Sequence, residues 1–413
     1  MENNKISSLN SSGHGEAGTE AGALAPGEPG PANTSATIGA ADSLGIYIGN
    51  NYAAEPLRQQ RFSRMKQSSK WLIADALRKE RLEAEQSGGD VPDWVKPIRV
   101  AKCHWRATSA IVDVYLKKTE YGNFAFYRNI ETCRSIWACC YCSSRIRNQR
   151  AKELQVAFKN IIEDKSLSIG IFATFTVKHQ ISTPLSLSLQ TLQAAYSYMR
   201  STRAWRRLMD RIGYIGIIRA TEVTYGSNGF NPHFHCWIIL DRRLSSATIE
   251  AVEAEMSEMW IAAVKKKSTN KSLVPSKKRG VDLRRVTTQG FTLYISKGQQ
   301  DIGKGHKRNL AVELTRFDLK QGRLATSITP FEMLDRNDMA PQWCEYVDAT
   351  KGKRASAWSR GLKQRLGLTA GANETDSSNG NPIFQLSIPF RDFAKMTAPE
   401  LNDLLSDVEQ LTA

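Results

Sequence analysis

The period of the apolar positions changes several times along the chain, and each change predicts an element. Residues 55–86 are basic, with Trp71, Leu72, Ala76 and Leu77 as an apolar helical face. IGIFATFTV, residues 169–177, is short, apolar and β-branched, which predicts a buried strand. From Leu185 to Met209, Leu189, Leu192, Tyr196 and Met199 recur at helical spacing. Two strand-like runs follow, 214–225 and 233–240, and the turn formers GSNGFNP between them predict a hairpin. SSATIEAVEAEMSEMWIAAV opens on a good helix cap and places Ile249, Val252, Met256, Met259 and Trp260 on one face. GVDLRRV, residues 280–286, alternates like a strand. QGFTLYISK, residues 289–297, reads as a short helix weakened by Gly290.

Strand, helix, strand, strand, helix, strand predicts an α+β fold of the ferredoxin-like β-α-β-β-α-β kind, an antiparallel sheet with its helices on one face. In that topology 169–177 and 233–240 are central neighbours. The flanks divide by composition. Residues 1–54 have few large apolar side chains and predict a disordered tail. A basic helical segment (55–97), a Cys-rich segment (98–150), the α+β core (151–335), an extension of the core (336–370), and a linker with an acidic amphipathic helix (371–413) follow. In that last helix Thr397-Ala-Pro-Glu400 has the capping-box pattern, and Leu401, Leu404, Leu405, Val408 and Leu411 share a face. That face packs on its own chain or meets a partner, either a second copy or a host replication protein.

Charge narrows the class of partner. The net charge is +16 over 413 residues, but residues 1–50 carry −4 and residues 366–413 carry −5, so residues 51–365 hold +25. Such a regional surplus points to nucleic acid, with a merely solvated basic surface as the alternative. No signal peptide and no run of the ~20 apolar residues that span a bilayer is visible, so the expected compartment is the cytoplasm, with no membrane partner. In a reducing compartment, seven cysteines with four between 133 and 142 suggest a metal site more than disulfides.

Three constellations carry chemistry. In Pro232-His233-Phe234-His235 the two imidazoles share one face of a strand and can grip one divalent ion. Glu222, on the other arm of the hairpin, is a candidate oxygen ligand or an ion-pair partner of Arg219. Tyr294 and Lys297 lie at i and i+3 of the last helix. On spacing alone Tyr294 is a core aromatic beside Phe291 or a nucleophile whose phenol a nearby cation activates. Cys139-x2-Cys142 has the spacing of half a zinc knuckle. Cys133 and Cys103 can complete four ligands, with His104 and Cys140 as rivals and buried free thiols as the alternative. No GxxxxGK[ST] loop occurs, so ATPase or helicase activity is not expected.

ETCRSIWACCYC, FATFTVKH, EVTYGSNGFNPHFHCWIIL and TLYISKG, in this order, resemble the replication initiators of rolling-circle plasmids, the HUH endonuclease class, in a family with a zinc-type Cys region ahead of the nuclease motifs. AVELTRFDLKQGR and WCEYVDATKGKRASAWSRGLK are similar too, so the resemblance spans about residues 100–367. It implies that His233 and His235 are metal ligands, with Glu222 as the third and Mg or Mn as the metal. It implies that Tyr294 attaches covalently to DNA, assisted by Lys297. The implied activity is nicking of one strand of a double-stranded origin through a 5′-phosphotyrosyl intermediate. The implied partners are origin DNA, single-stranded DNA at the nick, host helicase and polymerase, and a second copy of the chain. Some relatives carry a Glu one turn before the tyrosine; here residue 290 is Gly, so the terminating nucleophile stays open. Residue 298 is Gly as well, which sets the chain apart from two-tyrosine enzymes. The alternatives are a single-tyrosine transposase or relaxase of the same chemistry and a non-catalytic zinc-bearing DNA-binding regulator.

Overall fold

The helical periodicity of the basic N-terminal stretch is realised as α1, Glu55–Ser87, whose buried residues include Phe62, Met65, Trp71 and Leu72. The computed structural model describes residues 55–119, 122–286, 327–368 and 382–410, all within one unit, Leu44–Ala413. After α1 come β1 (Ile111–Thr119), β2 (Gly122–Arg128), α2 (Cys140–Glu163), β3 (Ser168–Thr176), α3 (Leu185–Ser201) and α4 (Arg203–Arg211). Next are β4 (Tyr214–Gly226), β5 (Gly229–Leu240), α5 (Ser246–Lys267), β6 (Val281–Arg285) and β7 (Ser327–Ile328). The last are α6 (Ala340–Thr350), β8 (Ser356–Trp358), β9 (Ile383–Pro389) and α7 (Ala398–Gln410). The segment 289–297, with its expected helix, lies outside the described residues.

The protein is α+β, with antiparallel sheets. The larger sheet has the order β6-β3-β5-β4-β7, with β8 also on β4, and every pairing is antiparallel. The two runs expected at its centre, β3 and β5, are hydrogen-bonded neighbours. The hairpin is longer than its turn formers suggested. Gly226 pairs with Gly229, so only Ser227 and Asn228 form the turn. Gly229 closes it at φ +82°, where a Cβ would come 2.8 Å from the Cα of Ile181. The expected single helix of 185–209 is two, because Thr202 leaves the helical conformation and its side chain caps α4 by accepting from Trp205 N–H.

The expectation that helices cover one face of the sheet is corrected. On one face Ala173, Phe175, Phe234, Cys236 and Ile238 pack with α3, α4 and α5. On the other, Ile218, Ala220, Trp237 and Ile239 meet Leu154, Phe158 and Ile161 of α2, together with Leu362 and Leu366. The reason is visible in Trp237-Ile238-Ile239-Leu240. Consecutive apolar residues in a strand point to both faces, so both must exclude water.

A second sheet of three strands, β2-β1-β9, was not anticipated. Its inner residues Val112, Val114 and Leu116 are fully buried. α7 packs on α1 and on this sheet, burying Leu401, Leu405 and Val408. The capping box of α7 is formed: Thr397 N–H donates to Glu400 Oε2 at 2.6 Å, and Glu400 N–H to Thr397 Oγ1 at 3.4 Å. Among the described residues, no helix is long and apolar enough to cross a membrane.

Candidate metal centres

The β4–β5 register sets Glu222 directly opposite His233 and Ala220 opposite His235. Directly paired residues of antiparallel strands share a face, and so do residues two apart on one strand. Glu222, His233 and His235 therefore converge. His233 Nε2 lies 3.1 Å from His235 Nε2, Glu222 Oε2 lies 2.9 Å from His235 Nε2, and 3.6 Å separates it from His233 Nε2. Glu222 and His235 are buried, and His233 is half-buried.

This donor set fits one cation. Ligand bonds of 2.0–2.2 Å at tetrahedral or octahedral angles put neighbouring ligand atoms about 2.9–3.6 Å apart, the spacing of these three. Protonation also favours the fit. His233 Nδ1 lies 3.1 Å from the carbonyl oxygen of Asn231, which can only accept, so Nδ1 carries the proton of the neutral ring. Nε2 then offers its lone pair toward the other two donors. His235 Nδ1 meets Thr174 Oγ1 at 3.2 Å, and Phe172 stacks on the His235 ring at 5.2 Å and 23°. Both rings are thus held from the side away from the ligand atoms.

The alternative partner for Glu222 does not apply, because Arg219 lies on the opposite face. Its guanidinium sits 4.2 Å from the Phe234 ring and donates to Gln193 Oε1 at 3.0 Å. Sequence reasoning missed Thr174, Phe172 and His179. The alternation of Phe172, Thr174 and Thr176 along β3 held the signal for the first two, but the register that sets Thr174 opposite His235 decides it. His179, three residues past the end of β3, has a buried Nδ1 with no hydrogen-bond partner among the described residues. Burial pushes the His179 imidazole below the usual histidine range, against a smaller upward pull from the Val177 backbone, which favours the neutral ring.

The second centre lies before and at the start of α2. Sγ of Cys103 is 3.7 Å from that of Cys142 and 3.6 Å from that of Cys139, and Cys133 Sγ is 3.8 Å from Cys142 Sγ. These distances exclude disulfides, which need about 2.05 Å. Four thiolates around one tetrahedral ion at about 2.3 Å stand about 3.8 Å apart, so the cluster can hold a metal. Three backbone N–H groups donate to the sulfurs: Cys133 to Cys103, Ser135 to Cys133 and Cys142 to Cys139. His104 and Arg134, each directly after a cysteine of the set, adopt φ of 63° and 56°, which folds the chain tightly around the sulfurs. Cys139 is the N-cap residue of α2, and without an ion its three cysteine neighbours and its burial push its thiol well up.

The rival ligands are resolved by position. The cluster of mutually close donors comprises the four cysteines without Cys140 or His104. Burial pushes the Cys140 thiol up to about 12. His104 Nδ1 contacts Cys103 Sγ at 3.1 Å, and its ring lies on Tyr141 at 3.9 Å. Burial holds His104 down at about 4, so it is neutral at neutral pH and supports the cluster through this contact. Cys236 and Cys344 are buried apart from it, as small core residues. Tyr294 and Lys297 lie outside the described residues.

Residues 124–381 match a family described as Replication protein. Among curated proteins, "Protein rep" of Streptomyces lividans is 32% identical over 309 residues, 59% of this chain and 65% of that protein. A "Neomycin resistance protein" of Streptomyces cyanogenus is 30% identical over 136 residues, 27% of this chain and 31% of that protein. The chain thus spans less than two thirds of the length of either relative. No solved structure matches.

Proposed function

The chain belongs to the replication protein family, and from that premise we propose that it initiates rolling-circle replication of a plasmid by nicking one strand of a double-strand origin. The observation that carries this reading is the convergence of His233, His235 and Glu222 on a common point at metal-ligand spacing. The strand order β6-β3-β5-β4, antiparallel throughout, is that of a ferredoxin-like sheet and supports an HUH nuclease core.

His233, His235 and Glu222 would hold the divalent cation, Mg or Mn. When bound, it supplies Lewis-acid polarisation of the scissile phosphate. The nucleophile is Tyr294. Its phenolic oxygen forms a bond to phosphorus while the bond from phosphorus to the 3′-oxygen breaks. The phenolic proton is lost and the 3′-oxygen takes one up. The products are a 5′-phosphotyrosyl bond and a free 3′-OH that primes synthesis. A phenol ionises near ~10, so the charge of Lys297 assists by stabilising the developing negative oxygen. Because the phosphodiester energy is stored in the tyrosyl ester, rejoining at termination needs no ATP.

Reach supports Tyr294 in this role. β6 ends at Arg285, opposite Ile171 of β3, whereas His235 is opposite Thr174. That offset is about 10 Å along the strands and, because β3 lies between β6 and β5, about 10 Å across them, roughly 14 Å in all; the nine residues from Arg285 to Tyr294 cover about 13 Å as a helix and up to about 30 Å extended. The cysteine set is read as a structural zinc site, and the host helicase, the polymerase and a second copy as partners in the cytoplasm.

The test is nicking of a supercoiled plasmid that carries the cognate origin, with and without EDTA. The expected result is metal-dependent nicking with a protein–DNA adduct on denaturing gels, and binding without nicking by Tyr294→Phe. An adduct still formed by Tyr294→Phe removes Tyr294 as nucleophile. Sequence-specific binding by the wild-type protein with no nicking under Mg or Mn favours the regulator.

A further inference from the structure

The smaller sheet presents a surface that the nuclease reading does not use. The register pairs Tyr115 of β1 with Phe126 of β2 on one side and Phe384 of β9 on the other, so three aromatics cross the sheet on its outward face. Phe124, two residues from Phe126, extends the row. Ring centroids are 5.8 Å apart for Phe384 and Tyr115, 6.1 Å for Tyr115 and Phe126, and 5.7 Å for Phe126 and Phe124. The last two pairs lie within 25° and 15° of parallel. These rings are not the sheet's core, which Val112, Val114 and Leu116 form on the inward face. Phe384 is 51% exposed.

The charges around the row favour one kind of partner. The Arg128 guanidinium lies 4.2 Å from the Tyr115 centroid and 5.7 Å from that of Phe126. Lys117 stands opposite Phe124 in the register. The acid on this face of β1 is Asp113, whose carboxylate already accepts from Asn129 Nδ2 and Ser387 Oγ, both at 2.6 Å. A protein partner would be served by aliphatic side chains as well as by rings. Flat rings, with the Arg128 guanidinium over Tyr115 and Phe126 and Lys117 alongside, on a chain with a basic middle, match a polyanion that carries flat bases of its own. In duplex DNA those faces are stacked on each other and inaccessible; in a single strand they are free.

We propose that this face is a stacking platform for single-stranded DNA that takes two or three unpaired bases. It rests on the nuclease reading only for the source of its ligand, the strand exposed at the origin. A fluorescein-labelled oligothymidylate tests it by anisotropy, at several salt concentrations. Phe384→Ala and Phe126→Ala should each weaken binding about 5- to 150-fold, the usual loss for one base–ring stack, while Phe126→Trp retains it. Photocrosslinks from 5-bromodeoxyuridine in the same oligonucleotide should map to Tyr115, Phe126 or Phe384 in the wild-type protein. Because Phe384 is exposed, its variant keeps the test open even if Phe126→Ala fails to fold. Binding by Phe384→Ala equal to wild type, or crosslinks that avoid the row, overturns the proposal. So does a fall in oligomeric mass on Phe384→Ala without a change in affinity, which would make the face an interface between copies. Plasmid nicking by the wild-type protein is scored separately. Nicking without oligothymidylate binding sinks the platform alone, and binding at the row without nicking sinks the nuclease alone.

Discussion

Thr174 does more for the metal centre than its small hydroxyl suggests, because it is the group that meets Nδ1 of His235. A ligating imidazole without such a partner is free to rotate, and its basicity falls. Thr174→Val keeps the shape and the β-branch and loses only the hydroxyl. It should weaken Mn binding about 10- to 100-fold, read by calorimetric titration, with thermal stability nearly unchanged. Unaltered Mn affinity would make the Thr174 contact incidental. At this scale the sequence is most legible where geometry leaves no choice. Alternation along a strand forces His233 and His235 to one side, and a hairpin brings Glu222 within reach. Thr174 was not legible, because which strand lies beside β5, and in what register, is settled by packing over the whole sheet. The expected roles of Tyr294 and Lys297 rest on resemblance and reach alone.

Among the elements, α2 ties the two centres together. Its first turn carries Cys142, and three turns later Leu154, Phe158 and Ile161 pack on Trp237 and Ile239, which follow His235 on the same face of β5. On the proposed zinc site, metal loss at the cysteines would remove the anchor of this helix, since structural zinc supplies folding energy directly. A thiol-modifying reagent should release about one zinc per chain. Hydrogen exchange should then speed up in α2 and in β5 around Trp237. Release of zinc with no change in exchange at β5 would separate the centres. Cys236 should stay unreacted in the folded protein, because burial pushes its thiol up to about 12 and the thiolate is the reactive form. The hairpin and α5 were legible as clean periods. The cover of α2 over the second face was not, although Trp237-Ile238-Ile239-Leu240 announces burial on both sides. β1 and β2 also alternate plainly, in IVDVYLKK and GNFAFYR. They escaped notice between the cysteines that bracket them, and their third strand comes only after residue 382.

Across the whole molecule, the two ends of the described chain are clasped together. Arg58 of α1 donates to Asn402 Oδ1 at 2.8 Å and to Glu409 Oε1 at 2.9 Å, and it also bonds Ser406. Glu409 accepts from the backbone N–H of Ala125 as well, so one carboxylate joins α7, α1 and the edge strand β2. Arg58→Met strands these partners in a buried site and should cost about 3–5 kcal/mol, measured by urea unfolding. A loss below 1 kcal/mol would mean that water replaces the guanidinium. The amphipathic pattern of the tail left open whether it docks or reaches out; α7 is docked, and removing residues 372–413 would also strip β9 from β1. The clasp has a consequence in time. At about 5–20 residues per second, a ribosome finishes β6 roughly 5–20 s before it delivers β9. During that interval the larger sheet has all four strands of its β6-β3-β5-β4 run, while β1 has only β2 beside it and α1 has no α7 to cover it. The edge of β1 is then an open template for any extended chain, including a nascent copy on the same message, so slower delivery of β9 should lower the share of this protein that reaches its folded form.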